Sequence, residues 1–326
     1  GPRARRGAVN LGTGCELITL AIDSDQELTG LFGGDTDATL GYIGTLMAAT
    51  NSIYQRGLGI RLRANYIRLW TEEDPWNAGG TGDELYAFRD LWEAEMGYVE
   101  RDLAHFLSGR GLGGGVAWLP GLCNAYGYGL SANLNGSFPY PIENNSNQNW
   151  DLIVFGHELG HNVGCPHTHD IGVDGCGTGD CTGAENGTIM SYCHGCPGGL
   201  ANMSLGFCPE NILNVANTLA NASCDYTVTP ETVARDDAAS ILPGESILID
   251  VLANDAGLDC GDVFLGDFDP SSTLGGTIEL VEDGGFLGRP ALRYIAPTTT
   301  EIADGFQYAV IDAAGTALDD ATVDIR

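Results

Sequence analysis

Residues 152–167 read LIVFGHELGHNVGCPH, and most of the chain is predicted to be built around this stretch. Within it, the spacing HExxHxxGxxH is filled by His157, Glu158, His161, Gly164 and His167. Residues four apart in an α-helix lie on one face, so His157 and His161 can reach one metal ion while Glu158 flanks them. We expect the helix to end at Gly164, where a left-handed residue is needed, and the chain to bring His167 back as a third ligand.

Three neutral imidazole nitrogens leave the fourth position of a tetrahedral zinc ion open, which is typical of a catalytic and not of a structural zinc site. A bare HExxH also arises by chance in ordinary amphipathic helices. Here five positions are specified, and GTIMSYCH at 187–194 follows, with Met190 placed to form a turn beneath the metal. We therefore interpret the motif as a zinc site.

The two motifs together resemble the metzincin clan of zinc endopeptidases. The resemblance implies a zincin-like catalytic domain of the α+β class, in which an α/β-like mixed sheet is backed by helices. A zinc ion lowers the pKa of a bound water to about 7. Glu158 is then expected to act as the general base, taking the water's proton and passing it to the leaving amine.

Residues beyond the core motif place the chain outside the best-known metzincin subfamilies. Thr168 follows the third histidine, and His169 and Asp170 come next, whereas the well-known signatures have Asp, Glu, Pro or Ser directly after that histidine. PHTHD with GTIMSYCH is most similar to the bacterial reprolysin-like, adamalysin-related group. Tyr192 stands where astacin-like and serralysin-like metzincins have a tyrosine that ligates zinc or stabilises the oxyanion, and a packing role is the alternative. His169 and His194 are left out of the predicted ligand set.

The same resemblance predicts a substrate edge and one disulfide. In metzincins the strand at this point of the chain lies at the sheet edge, so residues 114–119 are the candidate edge for an extended protein or peptide substrate. An ordinary central strand is the alternative. Reprolysin-like metzincins bridge a cysteine just after this strand to one at the domain's end, and Cys123 and Cys224 occupy those places. Such a bridge would enclose a long loop and stabilise through the unfolded state.

Charge and hydropathy exclude several classes of partner. The chain has 44 acidic residues against 14 basic ones, all arginine, and a net charge of -30. This balance argues against nucleic acids and anionic membranes. The acids form no block or tail, so we interpret them as a solvated, self-repelling surface. No stretch approaches the ~20 apolar residues of a membrane span. We also expect the protein to be a monomer.

The ten cysteines are unevenly distributed, and seven of them lie between Cys165 and Cys224. One interpretation is a second zinc site built on CHGC at 193–196, with His169 and His194 near it. The other is a set of disulfides in a secreted enzyme. We favour disulfides because the count is even.

Hydrophobic periodicity predicts alternating strands and helices ahead of the motif. The expected elements are strands at 15–23 and 59–70 and helices at about 36–56, 83–108 and 209–221. His105 falls in the second helix as a packing or surface residue. Residues 124–149 are rich in Asn, Gly, Ser and Tyr and are predicted to form a long loop. This order of elements indicates a mixed sheet backed by helices.

The character of the chain changes near Pro230. Short β-rich runs then alternate with Gly, Asp and Pro, which predicts an all-β sandwich, and this part has 19 acidic residues and 4 arginines. SILIDVLANDAG at 246–257 resembles cadherin-like and immunoglobulin-like modules of bacterial extracellular proteins. Asp250, Asn254 and Asp255 are candidate calcium ligands, and solvated turns are the alternative.

We divide the chain into three parts. Residues 1–9, which begin GPRARR, are interpreted as a tag-cleavage scar or a propeptide remnant. Residues 10–228 are the expected zinc protease domain, and 229–326 the sandwich. The precursor is expected to carry an export signal, so the protein is expected to be secreted or extracellular, including at a cell surface.

The leading functional hypothesis is a secreted zinc endopeptidase. A rival of another class is an extracellular adhesion or binding protein that retains a metzincin fold for ligand binding. A substituted glutamate would favour the rival, and Glu158 is present. A processing protease of narrow specificity differs from the leading hypothesis only in the breadth of its substrates.

Overall fold

The structure is a computed structural model of the chain. It describes residues 16–139, 141–222, 234–252, 255, 263–285, 289–298, 303–312 and 314–326. The segment 1–9, Cys224 and Asn254 therefore lie outside the described residues.

A mixed five-stranded sheet forms the centre of the first part. Its strands are β1 (Glu16–Ser24), β2 (Ile60–Arg68), β3 (Leu103–Leu107), β4 (Gly115–Ala117) and β5 (Tyr128–Ser131). The strand order is β2-β1-β3-β5-β4. Neighbouring strands are parallel except β4, which runs antiparallel to β5. The mixed sheet is confirmed, and β4 lies at the sheet edge, within the segment 114–119 for which an edge was predicted.

Helices cover this sheet and connect its strands. They are α1 (Gln26–Gly30), α2 (Thr36–Leu58), α3 (Thr81–Glu95), α4 (Trp150–Asn162) and α5 (Pro209–Asn221). The carboxylate of Asp35 caps α2 by accepting hydrogen bonds from the first-turn amides, and Gly59 ends the helix at a φ of 65°. The helices α2 and α5 confirm the helices predicted at 36–56 and 209–221.

The helix predicted over 83–108 is wrong in its second half. The helix α3 ends at Glu95, and residues 103–107 form β3, between β1 and β5. All five residues of β3 are buried, and a strand covered on both faces lacks the alternation that marks a half-exposed strand. His105 is a packing residue, with Nε2 2.8 Å from the Ser131 hydroxyl, and burial lowers its pKa to about 3.

The loop predicted over 124–149 is also partly wrong, because residues 128–131 form the buried strand β5. Beyond β5 the chain is loop, and the carboxylate of Asp151 in α4 holds it. That carboxylate accepts hydrogen bonds from the amide of Asn135 at 2.9 Å and from the hydroxyl of Tyr42 at 2.8 Å. The start of the motif helix is thus tied to both the loop and α2.

Loops and short 3₁₀ turns follow α4, and two disulfides connect them. Cys176 pairs with Cys193, and Cys181 pairs with Cys196. The expected disulfides are confirmed for these four cysteines, so CHGC is not available as a second zinc site. Cys165 and Cys208 are buried thiols. Cys123 is disulfide-bonded, but its predicted partner Cys224 lies outside the described residues, so that pairing stays a prediction.

The described residues beyond 233 form two sheets, one antiparallel and one mixed. Their strands are β6 (Asp237–Ala239), β7 (Ser246–Ile249), β8 (Phe264–Phe268), β9 (Thr277–Val281), β10 (Ala291–Ile295), β11 (Asp304–Ile311) and β12 (Ala317–Ile325). One sheet has the order β7-β10-β9 and the other β6-β12-β11-β8. A single apolar cluster draws on both, for example on Leu292 and Phe306. The identity of this region as a cadherin-like or immunoglobulin-like sandwich, and its boundary at 229, stay predictions.

A search of the described helices finds none that combines the length and the apolar character needed to cross a membrane.

Candidate metal centre

The three histidines of the motif converge at one point. His157 and His161 lie on successive turns of α4 with their ring centroids 4.7 Å apart, and the ring of His167 lies 4.5 Å from that of His161. Gly164, at a φ of +107°, makes the turn between them, and a Cβ there would lie 2.1 Å from the Thr218 hydroxyl oxygen. Each histidine offers one nitrogen within 4.8 Å of the others. The group could therefore hold one metal ion.

Hydrogen bonds to the Nδ1 atoms orient all three rings. The Nδ1 of His157 lies 2.7 Å from the Ile189 carbonyl oxygen, and that of His161 lies 2.8 Å from the Cys165 carbonyl oxygen. The Nδ1 of His167 lies 3.1 Å from Oδ2 of Asp170. Carbonyl and ionised carboxylate oxygens only accept, so each Nδ1 carries the proton and each Nε2 presents a lone pair.

The Nε2 atoms of His161 and His167 are 3.0 Å apart. Two lone pairs facing each other at this distance repel unless a cation lies among them. Neutral imidazole nitrogens at Zn–N distances of about 2.0–2.1 Å are ordinary zinc ligands. The donor set therefore fits a zinc ion bound through three Nε2 atoms.

Burial keeps the imidazoles neutral. It is the largest cause that lowers the pKa of His157 well below its usual value, and the neighbouring His161 lowers it further. The pKa of His161 is lowered to about 4, first by burial and then by His167. Since a metal competes with protons for these nitrogens, neutral rings favour metal binding at neutral pH.

Glu158 lies in the motif helix, and its carboxyl group faces the edge strand. It is 5% exposed, and its Oε2 has no hydrogen-bond partner in the part of the chain that the structure describes. Burial raises the pKa of this carboxyl group well above its usual value. A Cβ on Gly115 in β4 would lie 2.5 Å from Oε1 of Glu158. Only a residue without a side chain lets the strand approach the carboxylate this closely.

Met190 lies beneath α4, where a Cβ on Gly160 would come within 2.5 Å of its sulfur atom. Gly160 lies between the two helical histidines in the chain, so the Met190 side chain contacts the helix between their positions. The Met190 carbonyl accepts hydrogen bonds from the amide of Thr168 at 3.1 Å and from its hydroxyl at 3.3 Å. Thr168, the departure from the well-known signatures, thereby connects the residue after the third histidine to the Met190 turn.

The sequence interpretation left out His169 and gave Asp170 no role, yet the structure brings both to His167. The ring of His169 stacks on that of His167, with centroids 5.0 Å apart and an interplanar angle of 10°. The only signal in the sequence was the order HTHD. A loop has no periodicity, so this order does not say which side chains meet.

Tyr192 also lies against the cluster, with its ring centroid 4.5 Å from that of His167 and 5.8 Å from that of His157. Its side chain is 39% exposed. Burial, and then the charge of Glu158, raise the pKa of its phenol. The phenol is therefore protonated at neutral pH, and its role stays a prediction.

A cavity of about 250 Å³ adjoins the cluster between the edge strand and α4. Trp150 and Val154 of α4 line it, together with Gly114 and His194. His157 and Glu158 form part of its wall. A small group that enters this cavity would lie beside both the candidate base and the candidate metal.

The two described calcium candidates are bonded to protein donors. Asp250 forms an ion pair with Arg289 at 2.8 Å. Asp255 accepts hydrogen bonds from the amide of Arg235 at 2.7 Å and from the hydroxyl of Tyr308 at 3.0 Å. These contacts do not support calcium binding, which stays a prediction.

Comparison with known proteins gives the family of the chain. Residues 16–204 match the family model Reprolysin_5, described as metallo-peptidase family M12. Disintegrin and metalloproteinase domain-containing protein 1 of Rattus norvegicus is 29% identical over 145 residues, which are 42% of this chain and 17% of that protein. Its counterpart 1a of Mus musculus is 27% identical over 147 residues, 43% of this chain and 17% of that protein. The chain thus spans less than a fifth of the length of these relatives.

A solved structure described as "Structure of a chaperone-substrate complex" matches 47% of this chain and 25% of that chain, with 22% identity and a TM-score of 0.35. At this TM-score the likeness carries no argument. The family model, in contrast, covers more than half of the chain, including α4 and its histidines. The chain therefore belongs to metallo-peptidase family M12, the reprolysin-like metalloproteases of metzincin type.

Proposed function

We propose that this chain is a secreted zinc-dependent endopeptidase, with His157, His161 and His167 as zinc ligands and Glu158 as the general base. The observation that carries the proposal is the geometry of the cluster. Three Nε2 lone pairs converge beside a buried carboxyl group whose Oε2 has no partner among the described residues. Buried polar atoms normally find a partner, so an orphan at a cleft is a candidate functional group.

Zinc, when bound, would polarise the scissile carbonyl and activate a water for attack. Glu158 is placed to handle the proton. Because burial raises the pKa of this carboxyl group, its carboxylate is a stronger base than an exposed one. It would take a proton at Oε1 or Oε2 from the attacking water and later give it to the leaving amine.

The free edge of β4 supports the proposed binding of an extended peptide. Among the described residues, β4 pairs with β5 alone, and Gly115 brings its backbone against Glu158. A substrate strand added to this edge would place its backbone beside the proposed base, with affinity from main-chain hydrogen bonds. The adjoining cavity would then receive one substrate side chain.

Tyr192 supports a further part of the proposal. Its protonated phenol is a hydrogen-bond donor beside the cluster, and we assign it to the developing oxyanion. The region beyond 229 is proposed as a non-catalytic β-sandwich, and the bacterial reprolysin-like group as the subgroup.

Replacement of Glu158 by Gln tests the proposal directly. It keeps the size of the side chain and removes the base, so casein or gelatin hydrolysis should fall by at least about 100-fold. Zinc content, measured by mass spectrometry of the metal, should stay near one ion per chain. Glu185→Gln makes the same chemical change on the surface and should leave hydrolysis unchanged. Hydrolysis by Glu158→Gln at the wild-type rate would refute the assignment.

A further inference from the structure

The three candidate zinc ligands differ in what holds their Nδ1 atoms. His157 and His161 are oriented by backbone carbonyls, and their rings are carried by α4. His167 lies on a loop, and its Nδ1 is held by a side chain, the carboxylate of Asp170, at 3.1 Å. An imidazole N–H that donates to a carboxylate makes a charge-assisted hydrogen bond, which is stronger than one to a neutral carbonyl.

Asp170 is itself placed between two imidazoles. Its Oδ2 lies 3.1 Å from Nδ1 of His167, and its Oδ1 lies 3.5 Å from Nε2 of His169. The two rings are nearly parallel, so the carboxylate spans one edge of a stacked pair. The His169 ring also packs against Gly177, where a Cβ would lie 2.3 Å from the ring. His169 is thus fixed, and only 13% of its side chain is exposed.

We propose that Asp170 is a positioning residue for His167, and that His169 holds Asp170 in place. The carboxylate sets the Nδ1–H tautomer of His167 and aims its Nε2 lone pair at the metal, which helps determine zinc affinity. The inference rests on the proposed zinc site but not on peptide hydrolysis. The Asp170 carboxylate would thus orient His167 as backbone carbonyls orient His157 and His161.

Zinc affinity, measured by competition with a chromogenic chelator, tests this positioning role. Partners that orient a metal-bound histidine typically change metal affinity by about 10- to 100-fold. The side chain of Asp170 is 59% exposed, so solvent screening places the expected loss for Asp170→Ala near the lower limit, about 10-fold. Asp170→Asn still offers an acceptor oxygen without the charge and should fall between Asp170→Ala and the wild type. Asp83→Asn, an exposed acid in α3, should bind zinc like the wild type.

Two further readouts separate positioning from general stability. The metal-free Asp170→Ala protein should unfold at the temperature of metal-free Asp83→Asn, because the proposed role needs the metal. The visible absorption of the cobalt-substituted protein should change for Asp170→Ala, since the geometry of the third ligand changes. His169→Phe, which keeps a stacked ring but removes the nitrogen that faces Asp170, should bind zinc more weakly than the wild type.

Equal zinc affinity for Asp170→Ala and Asp83→Asn would overturn the inference. So would a lower unfolding temperature of metal-free Asp170→Ala together with no recovery in Asp170→Asn, because the role would then be structural. If the wild type binds no zinc, the proposed function fails as well. Zinc-replete wild type that hydrolyses no peptide would overturn the proposed function alone.

Discussion

Gly115 of β4 faces the carboxylate of Glu158 in α4, and this approach decides how much room the proposed base has. Gly115 needs no left-handed backbone, since its φ is not positive. The constraint is space alone. The Nδ1 protons of the three histidines matter in a similar way. Because each Nδ1 donates a hydrogen bond, Nε2 is the nitrogen that can bind the proposed metal.

Gly115→Ala should lower kcat/KM strongly. The new Cβ would lie 2.5 Å from Oε1 of Glu158, so the carboxylate or the strand must shift, and a misplacement of about 1 Å costs on the order of 100-fold in rate. Steady-state kinetics on a fluorogenic peptide would measure the loss. Gly111→Ala adds a Cβ with nothing within 4 Å and should keep the wild-type rate. Equal rates for the two variants would contradict the proposed position of the base.

Tyr192→Phe separates a catalytic from a packing role for this residue. The ring that contacts His167 stays, and the hydroxyl is removed. If the phenol donates to the oxyanion, kcat should fall by about 100-fold with little change in KM or zinc content. Tyr98→Phe, which makes the same change at a tyrosine that is 73% exposed, is the matched control. An unchanged kcat would leave Tyr192 with packing alone.

At the scale of elements, α4 carries two proposed zinc ligands and the proposed base, and the turn after it leads to the third proposed ligand. The helix is buried along nearly its whole length, so its position depends on the sheet and on α2. Gly164 makes the turn between the helix and the loop that carries His167. Its positive φ and its contact with Thr218 of α5 both exclude a side chain.

Gly164→Ala should destabilise the protein and weaken zinc binding together. A non-glycine residue at this φ costs about 1–3 kcal/mol, and the Cβ would also collide with the Thr218 hydroxyl oxygen, 2.1 Å away. Chemical denaturation and chelator competition would measure the two losses. The double variant Gly164→Ala/Thr218→Ala should recover only the part due to the hydroxyl oxygen, because the Cβ of residue 218, 2.9 Å away, remains. Full recovery would show that the backbone conformation matters little.

At the scale of the whole molecule, the two parts of the chain differ in what they bury. The first buries a histidine cluster beside a mixed sheet, and the second brings two carboxylates, those of Asp237 in β6 and Asp255, to the hydroxyl of Tyr308. Burial, and then the charge of Asp255, raise the pKa of Asp237 to about 8, and the pKa of Asp255 is raised to about 6, mainly by burial. Both carboxylates lie 3.0 Å from the hydroxyl of Tyr308.

These shifts predict a pH-dependent stability of the second part. A carboxyl group whose pKa is higher in the folded state stabilises the fold below its unfolded pKa, near 4, and this stabilisation is lost as the pH rises through about 8. Each pH unit between the two pKa values corresponds to about 1.4 kcal/mol.

At pH 8, Asp237→Asn should therefore have a free energy of unfolding at least about 1 kcal/mol above that of the wild type, and it should unfold at a higher temperature. At pH 4 the two proteins should unfold alike, because the wild-type carboxyl group is then protonated. Differential scanning calorimetry at both pH values would measure this. Asp267→Asn, on an exposed side chain, is the control. A difference of the same size at pH 4 would contradict the titration of Asp237.

The sequence alone predicts the local features of the chain. The spacing of His157 and His161 places them on one helical face with Glu158 beside it, and caps such as Asp35 and Gly59 mark where a helix begins and ends. These features depend on neighbours within one or two turns. The family of the chain followed from the same local motif.

Contacts between distant residues were decided only by the tertiary structure. The strands β3 and β5 were missed because burial on both faces removes the alternation that identifies a strand. The meeting of Asp170 with His167 and of Gly115 with Glu158 depends on how loops and the sheet edge pack around α4. Since such contacts have no period along the chain, the sequence motif predicts the chemistry of the metal centre, and the packing determines how its ligands and its base are held.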